Sequence, residues 1–404
     1  MAETLPVDVL IFGGGVAGLW TLATLRDHGV AALLVESNRL GEGQTVSAQG
    51  ILHGGIKYTL SGAMNDSARA HRDAPALWHR SLRAEAQPSL AQTTVLTEHC
   101  YLWRTSALSS IAGMVGARAG LATKPIKLAP GERPRVLSQC PGEVFRVDEW
   151  VIDPVSMVAN LSQPHAGAII RAKGLPQVAM DGEHITRVEL TDPAGHHLAI
   201  QPRHILLTAG RGNASLRQAM GLANEVTQKR PLHMLMMRGD LPDLYGHCVD
   251  GAHTRATITS GKARDGQTVW QVGGQVSEDG VDMDINQLLT HGKREIEAVL
   301  PGIDLSDITW SAYRVDRAEA SNRFGRKPDS STLRRDGNVL TAFPTKLVLA
   351  PYLAAMVLEA IDPTDNDKQR SADMQAELAS ALADWQRPDV ACAPWDEDVP
   401  WTRL

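Results

Sequence analysis

Cysteine is scarce and scattered. The four in 404 residues, Cys100, Cys140, Cys248 and Cys392, form no C-x-x-C pair, which excludes a disulfide scaffold and disfavours a zinc or dithiol redox site. No metal ligand set is expected, and reduced thiols in a cytosol fit this pattern. Positive charge is in short supply too: 40 Lys and Arg against 46 Asp and Glu leave a formal net charge of -6. Without a basic field for polyphosphate, nucleic acid is not an expected partner, and any anionic ligand must be caught by local cations. No apolar run reaches the ~18 residues that span a bilayer, so no transmembrane segment is expected. The first strand pattern begins within about ten residues of Met1, which leaves no room for a secretory leader. A cytoplasmic protein is the expectation, with peripheral attachment at the inner face of the membrane as the variant reading.

What the chain does contain is a glycine turn in context. An apolar strand pattern over 7–12 runs into Gly13, Gly15 and Gly18 at G-x-G-x-x-G spacing, and a helical pattern continues from Val16 to His28 and stops at Gly29. The three glycines serve a tight turn, close approach of backbone to a pyrophosphate, and close helix-on-strand packing. The N–H groups at the helix start, around Val16 and Ala17, and the helix dipole favour phosphate charge there. A second apolar strand over 31–37 ends on Glu36 and Ser37. An acidic residue about 20 positions after the glycines is where a carboxylate takes the ribose hydroxyls of a dinucleotide. The competing reading is a glycine turn in an ordinary βαβ unit.

Apolar content of 43% and charged content of 21% are those of an ordinary globular protein, and the length is long for one core, so two domains or one domain with a large insertion is expected. Residues 37–63 are dense in glycine and small polar side chains, where backbone approaches a ligand closely. Helical spacing over 65–85 is expected to break near Pro75, and another helix is expected over 108–122. Asp153-Pro154 marks a helix start. Short strands are expected near 168–170, 177–180, 185–190 and 197–200. The apolar run into Thr208-Ala209-Gly210 then rejoins the first sheet, which is otherwise interrupted from Glu36 to Leu206. Strand patterns dominate 226–280, followed by a helix over 285–300, strands near 307–320 and 338–343, an apolar helix from about Val348 and a charged helix towards Trp385. An irregular tail ends the chain, with Trp395 and Trp401 packing it down.

Four segments carry a resemblance. They are VDVLIFGGGVAGL with VES, then GQTVSAQGILHGGIKYTL, ITWSAYRVD and FPTKLVLAP. Together they resemble the flavin-dependent D-amino acid oxidase superfamily, and within it the glycerol-3-phosphate dehydrogenase and 2-hydroxyglutarate dehydrogenase branch. The resemblance spans nearly the whole chain up to about Ile361. Ala312, Val315 and Pro344-Thr345 depart from the glycine, proline and glycine-pair positions of the group. It implies an α/β fold: an FAD-binding Rossmann-like domain (1–85, 145–225 and 335–404) with a mainly antiparallel β-sheet substrate domain (86–144 and 226–334). FAD is the implied cofactor. Its contacts are expected from Gly13, Gly15, Val16, Ala17, Gly18, Glu36, Ser37, Thr45, Ser47, Gln49, Gly50, Val178, Ala209, Gly210, Lys346 and Leu347.

Oxidation of an alcohol by hydride transfer to flavin needs a positioned general base, whereas an amine sheds its proton on modest desolvation. His53 is the candidate base, against a role in hydrogen bonding or covalent linkage to the flavin. Arg314 matches the group's anion-binding arginine and has the bidentate geometry for carboxylate or phosphate. A salt bridge to Asp316 or Glu319 is its plain alternative. Lys57 and Tyr58 would add an anion contact and a lid. The implied activity is oxidation of a small anionic 2-hydroxy acid or polyol phosphate, with oxygen, quinone or a partner protein as final electron acceptor. Amine or amino-acid oxidation, or a flavin-holding subunit of a complex, are the alternatives.

Overall fold

A computed structural model describes residues 4–53, 66–105, 125–250, 253–321, 330–344 and 346–404. The helix expected over 108–122 lies wholly outside them, as do Lys57 and Tyr58. Strand Thr4–Phe12 is buried along most of its length, as a central parallel strand must be. It pairs in parallel with Ala32–Glu36 on one side and with His197–Leu207 on the other. Beyond His197–Leu207 lie Val339–Phe343 and Thr332–Asp336, and the meander Gln177–Asp181 and His184–Thr191 branches from the same strand, making eight strands.

The sheet resumes earlier than Leu206. Ile169–Arg171 lies parallel beside Ala32–Glu36, because the helix Pro154–Ser162 before it supplies the crossover that a parallel neighbour needs. Asp153 starts that helix by accepting the N–H groups of Val155 and Ser156 at 3.4 and 2.8 Å. Helix Asp66–Leu82 likewise runs through Pro75 without ending. Ala74 and Trp78 are buried on its inner side. The Trp78 indole donates to the Val348 carbonyl at 2.9 Å and lies 4.5 Å from the Trp20 ring, so tertiary packing offsets the bond that proline removes.

The second sheet has nine strands. Its order is Thr402–Arg403, Thr309–Ala320, Thr227–Gly239, Thr268–Gly273, His253–Lys262, Gly246–Asp250, Cys100–Trp103, Val144–Val147 and Ile126–Lys127. The tail is therefore not irregular to its end: Thr402 and Arg403 pair with Trp310 and Thr309, while Trp395 and Trp401 pack around Met236 and Val269. Side chains of antiparallel partners share a face, and the ladder registers sort the sheet cleanly. Leu235, Met237, Ile258, Trp270, Val272 and Trp310 share one face, which helix Ile285–Val299 covers with Leu288, Leu289 and Ile296. Met234, Met236, His247, Thr257, Gln271 and Tyr313 occupy the other.

Candidate active site

A cleft of about 660 Å³ opens where Thr4–Phe12, Ala32–Glu36 and His197–Leu207 end. The carboxyl ends of parallel strands are the usual ligand position in such sheets. Gly13, Gly15, Val16, Ala17, Glu36, Ser37, Thr45, Ser47, Ala209, Gly210, Lys346 and Leu347 all line it, and so does Arg314. The glycines are there for want of room. At φ +108, a Cβ on Gly13 would lie 2.5 Å from the Ala209 Cα, and one on Gly18 would lie 2.0 Å from the Gly13 carbonyl oxygen. Gly18 therefore acts behind the wall rather than in it. Thr45 accepts the Val16 N–H through its hydroxyl at 3.1 Å, which ties the glycine-rich loop to the helix start. Glu36 accepts the Gly14 N–H at 2.7 Å with one oxygen and those of Ser37 and Asn38 at 2.7 and 3.0 Å with the other.

Three other residues stand outside that wall. Gln49 donates to the carbonyls of Thr257 and Gln271 at 3.0 and 2.9 Å, fastening its loop to the nine-stranded sheet. Gly50, at φ +68, lets the chain pass against the Ile152 carbonyl. Val178 sits in Gln177–Asp181, paired with Val188 and packed on the sheet core.

His53 is placed by backbone register. Leu52 donates its N–H to Trp150 O at 2.8 Å and Ile152 donates to Gly50 O at 3.0 Å, with an antiparallel bridge between Ile51 and Val151. That register sets His53 opposite Glu149, and His53 Nδ1 lies 3.5 Å from Glu149 Oε1. The other carboxylate oxygen faces His247 Nε2 at 3.2 Å, and His247 Nδ1 faces the Thr257 hydroxyl at 3.0 Å. Glu149 is 1% exposed. Burial works against its charge, but the hydrogen bonds from His247 and His53 prevail and hold the carboxyl well below the usual range. Burial lowers the His53 pKa from 6.5; Glu149 opposes this, while His247 and the cleft residue Lys346 add to it.

Arg314 lies on the other side of the sheet. Paired with His233, it belongs to the helix-covered face, opposite that of His247 and Tyr313. It donates to the Met283 carbonyl at 3.2 Å and is also among the residues that line the cleft. No sequence signal marked Glu149 or His247, since they lie 96 and 194 residues beyond His53 and meet it only through sheet register.

These features, a double-wound sheet with a glycine cradle, an acidic residue at the second strand end and a second, mainly antiparallel sheet, accompany a match of residues 8–359 to a family model, DAO, FAD dependent oxidoreductase. The chain belongs to this family. As an FAD-dependent oxidoreductase it is 34% identical over 403 residues to a probable FAD-dependent oxidoreductase of Pseudomonas aeruginosa, covering 98% of this chain and 99% of that one. A crystal structure of an FAD-dependent oxidoreductase from the same organism superposes with TM-score 0.79 at 31% identity, again over 98% and 99%. Glycerol-3-phosphate dehydrogenase 1 of Mycobacterium tuberculosis is 26% identical over 228 residues, 52% of this chain and 43% of that one. Glycine oxidase of Geobacillus kaustophilus shares the fold at TM-score 0.63 and 14% identity, over 89% and 95%. Among the described residues no helix is long and apolar enough to cross a membrane. The residues present fit FAD: Gly13, Gly15 and the start of helix Val16–Asp27 line one end of the cleft, Glu36 stands at the end of the second strand, and the volume of about 660 Å³ is of cofactor size.

Proposed function

We propose that the enzyme oxidises a small anionic substrate, a 2-hydroxy acid or polyol phosphate, with His53 as general base. FAD would be held by the Gly13–Gly18 turn at its pyrophosphate and by Glu36 at its ribose. Thr45, Ser47, Ala209, Gly210, Lys346 and Leu347 would hold the remainder. When bound, it supplies a two-electron acceptor for the substrate's hydride. The residues must then do the rest. His53 Nε2, the ring nitrogen not facing Glu149, takes the hydroxyl proton, and its lowered pKa keeps it unprotonated at neutral pH. Of the cations that line the cleft, Lys173, Arg211, Arg314 and Lys346, we assign Arg314 and Lys346 to the substrate's carboxylate or phosphate.

The observation that carries this reading is the His53 imidazole held 3.5 Å from a buried carboxylate, with Lys346 of the cleft wall among the charges that act on it. An alcohol needs such a base and an amine does not. Anaerobic addition of 2-hydroxy acids, glycerol 3-phosphate and amino acids to the yellow enzyme tests it. Bleaching by a hydroxy compound is expected, while bleaching by amino acids alone would replace this reading with amine oxidation. The final acceptor, oxygen, quinone or a partner protein, is read from which of them restores the colour.

A further inference from the structure

His53, Glu149 and His247 form a three-membered polar cluster in which, among the described residues, each carboxylate oxygen faces one imidazole nitrogen and His247 Nδ1 faces a hydroxyl. The Glu149 carboxylate only accepts, so His247 carries its proton on Nε2, 3.2 Å from Glu149 Oε2, and its Nδ1 accepts from the Thr257 hydroxyl at 3.0 Å. The second oxygen of the carboxylate faces His53 Nδ1 at 3.5 Å. Among the described residues, the acceptor left over is His53 Nε2.

We infer that Glu149 is the positioning residue for His53, and that the Thr257–His247–Glu149 chain fixes His53 as its Nδ1–H tautomer with Nε2 free to accept a proton. The inference rests on the reading of His53 as base for its catalytic consequence, though the coupling itself does not. A carboxylate at 1% exposure costs several kcal/mol to desolvate unless donors meet both oxygens, and two imidazoles meet them here. Such a carboxylate orients the ring and stabilises the imidazolium that forms when the base takes its proton. The other ionisable groups facing the cluster, among the described residues, are Lys346 on the His53 side and Cys100 on the Glu149 side. Burial and the carboxylate push the Cys100 thiol well up, so it stays neutral. Lys346 and His247 disfavour a second positive charge on His53, and Glu149 is the one neighbour that favours it.

The direct test is ¹⁵N NMR of the histidine rings in the FAD-loaded enzyme, with His53 assigned by the His53→Gln variant. The expected spectrum shows His53 as the Nδ1–H tautomer. In Glu149→Gln its pKa falls and the tautomer preference is lost, and Glu149→Asp restores part of both. In turnover, Glu149→Gln should lower kcat roughly 10- to 100-fold, the scale for losing an orienting partner. KM should change little, and the acid limb of the pH profile should move to lower pH. His247→Gln, which leaves His53 and Glu149 in place, gives a second reading if Glu149→Gln does not fold, and is expected to shift the His53 resonance in wild-type-like protein. An Nε2–H tautomer, or a His53 titration unchanged in these variants, would overturn the inference. So would a stoichiometric divalent metal ion lost in His247→Gln, since the three side chains have the separation of a metal triad. If instead the NMR result holds and His53→Ala turns over normally, the positioning survives and the proposed function fails.

Discussion

Gly13 and Ala209 touch backbone to backbone across the mouth of the cleft, so closely that a methyl group on Gly13 would stand 2.5 Å from the Ala209 Cα. The first turn of the chain and the end of a strand nearly two hundred residues later are thus fitted to each other without room for a side chain. Gly13→Ala must adopt φ +108 as well as displace Ala209. Strain of about 1–3 kcal/mol is expected from the backbone alone. Thermal unfolding should come several degrees earlier and the purified protein should be paler; unchanged melting with full flavin content would show that the fit is not needed.

Glu36 makes a second claim on the cofactor. Its carboxylate gathers the N–H groups of Gly14, Ser37 and Asn38 at the end of the second strand, where a ribose diol would lie. Replacing it with Ala removes charged acceptors worth about 1.5–3 kcal/mol each. FAD affinity of the stripped protein should then fall about 10-fold or more, measured by quenching of flavin fluorescence. An equal affinity would move the ribose elsewhere.

These two features were legible in the sequence because both depend on local spacing: a glycine turn and a carboxylate at a fixed distance along a βαβ unit. His53 was legible as a residue type in a glycine-rich loop, but its partners were not. Glu149 meets it only because residues 50–53 run antiparallel to 149–152, and a slip of one residue would turn Glu149 away. Arg314 shows the same limit from the other side. Its segment marked it for the cleft, whereas the parity of Thr309–Ala320 decides that it shares a face with His233 rather than with His247. Pro75 misled because a proline penalty is local and the burial of Trp78 is not.

That placement gives Arg314 two separable roles. As an anion-binding cation at the cleft edge, its loss in Arg314→Ala should raise KM for the anionic substrate about 10-fold or more, with flavin content unchanged. As a strap to the Met283 carbonyl, its loss would lower the melting temperature and leave KM alone. Steady-state kinetics and thermal unfolding on one sample separate the two.

Acidity should switch the enzyme off in a defined direction. His53 works as the neutral imidazole, and its pKa is lowered from 6.5 by burial, so protonation sets in only below pH 6.5. The acid limb of kcat/KM is expected below that value, and a limb above it would show that the Glu149 carboxylate outweighs desolvation at this ring, whose side chain is 43% exposed. The sign for stability agrees. Below pH 6.5 the unfolded chain binds more protons at this site than the folded one, so folding stability falls as pH falls through that window.

The measurement closest to the central claim is the anaerobic bleaching rate of the flavin in a single turnover, compared between the wild type and His53→Ala with the hydroxy substrate that the panel identifies. The account predicts full flavin content in both and a rate roughly 10²-fold or more slower in the variant. Equal rates would contradict it, and so would bleaching by no hydroxy compound at all.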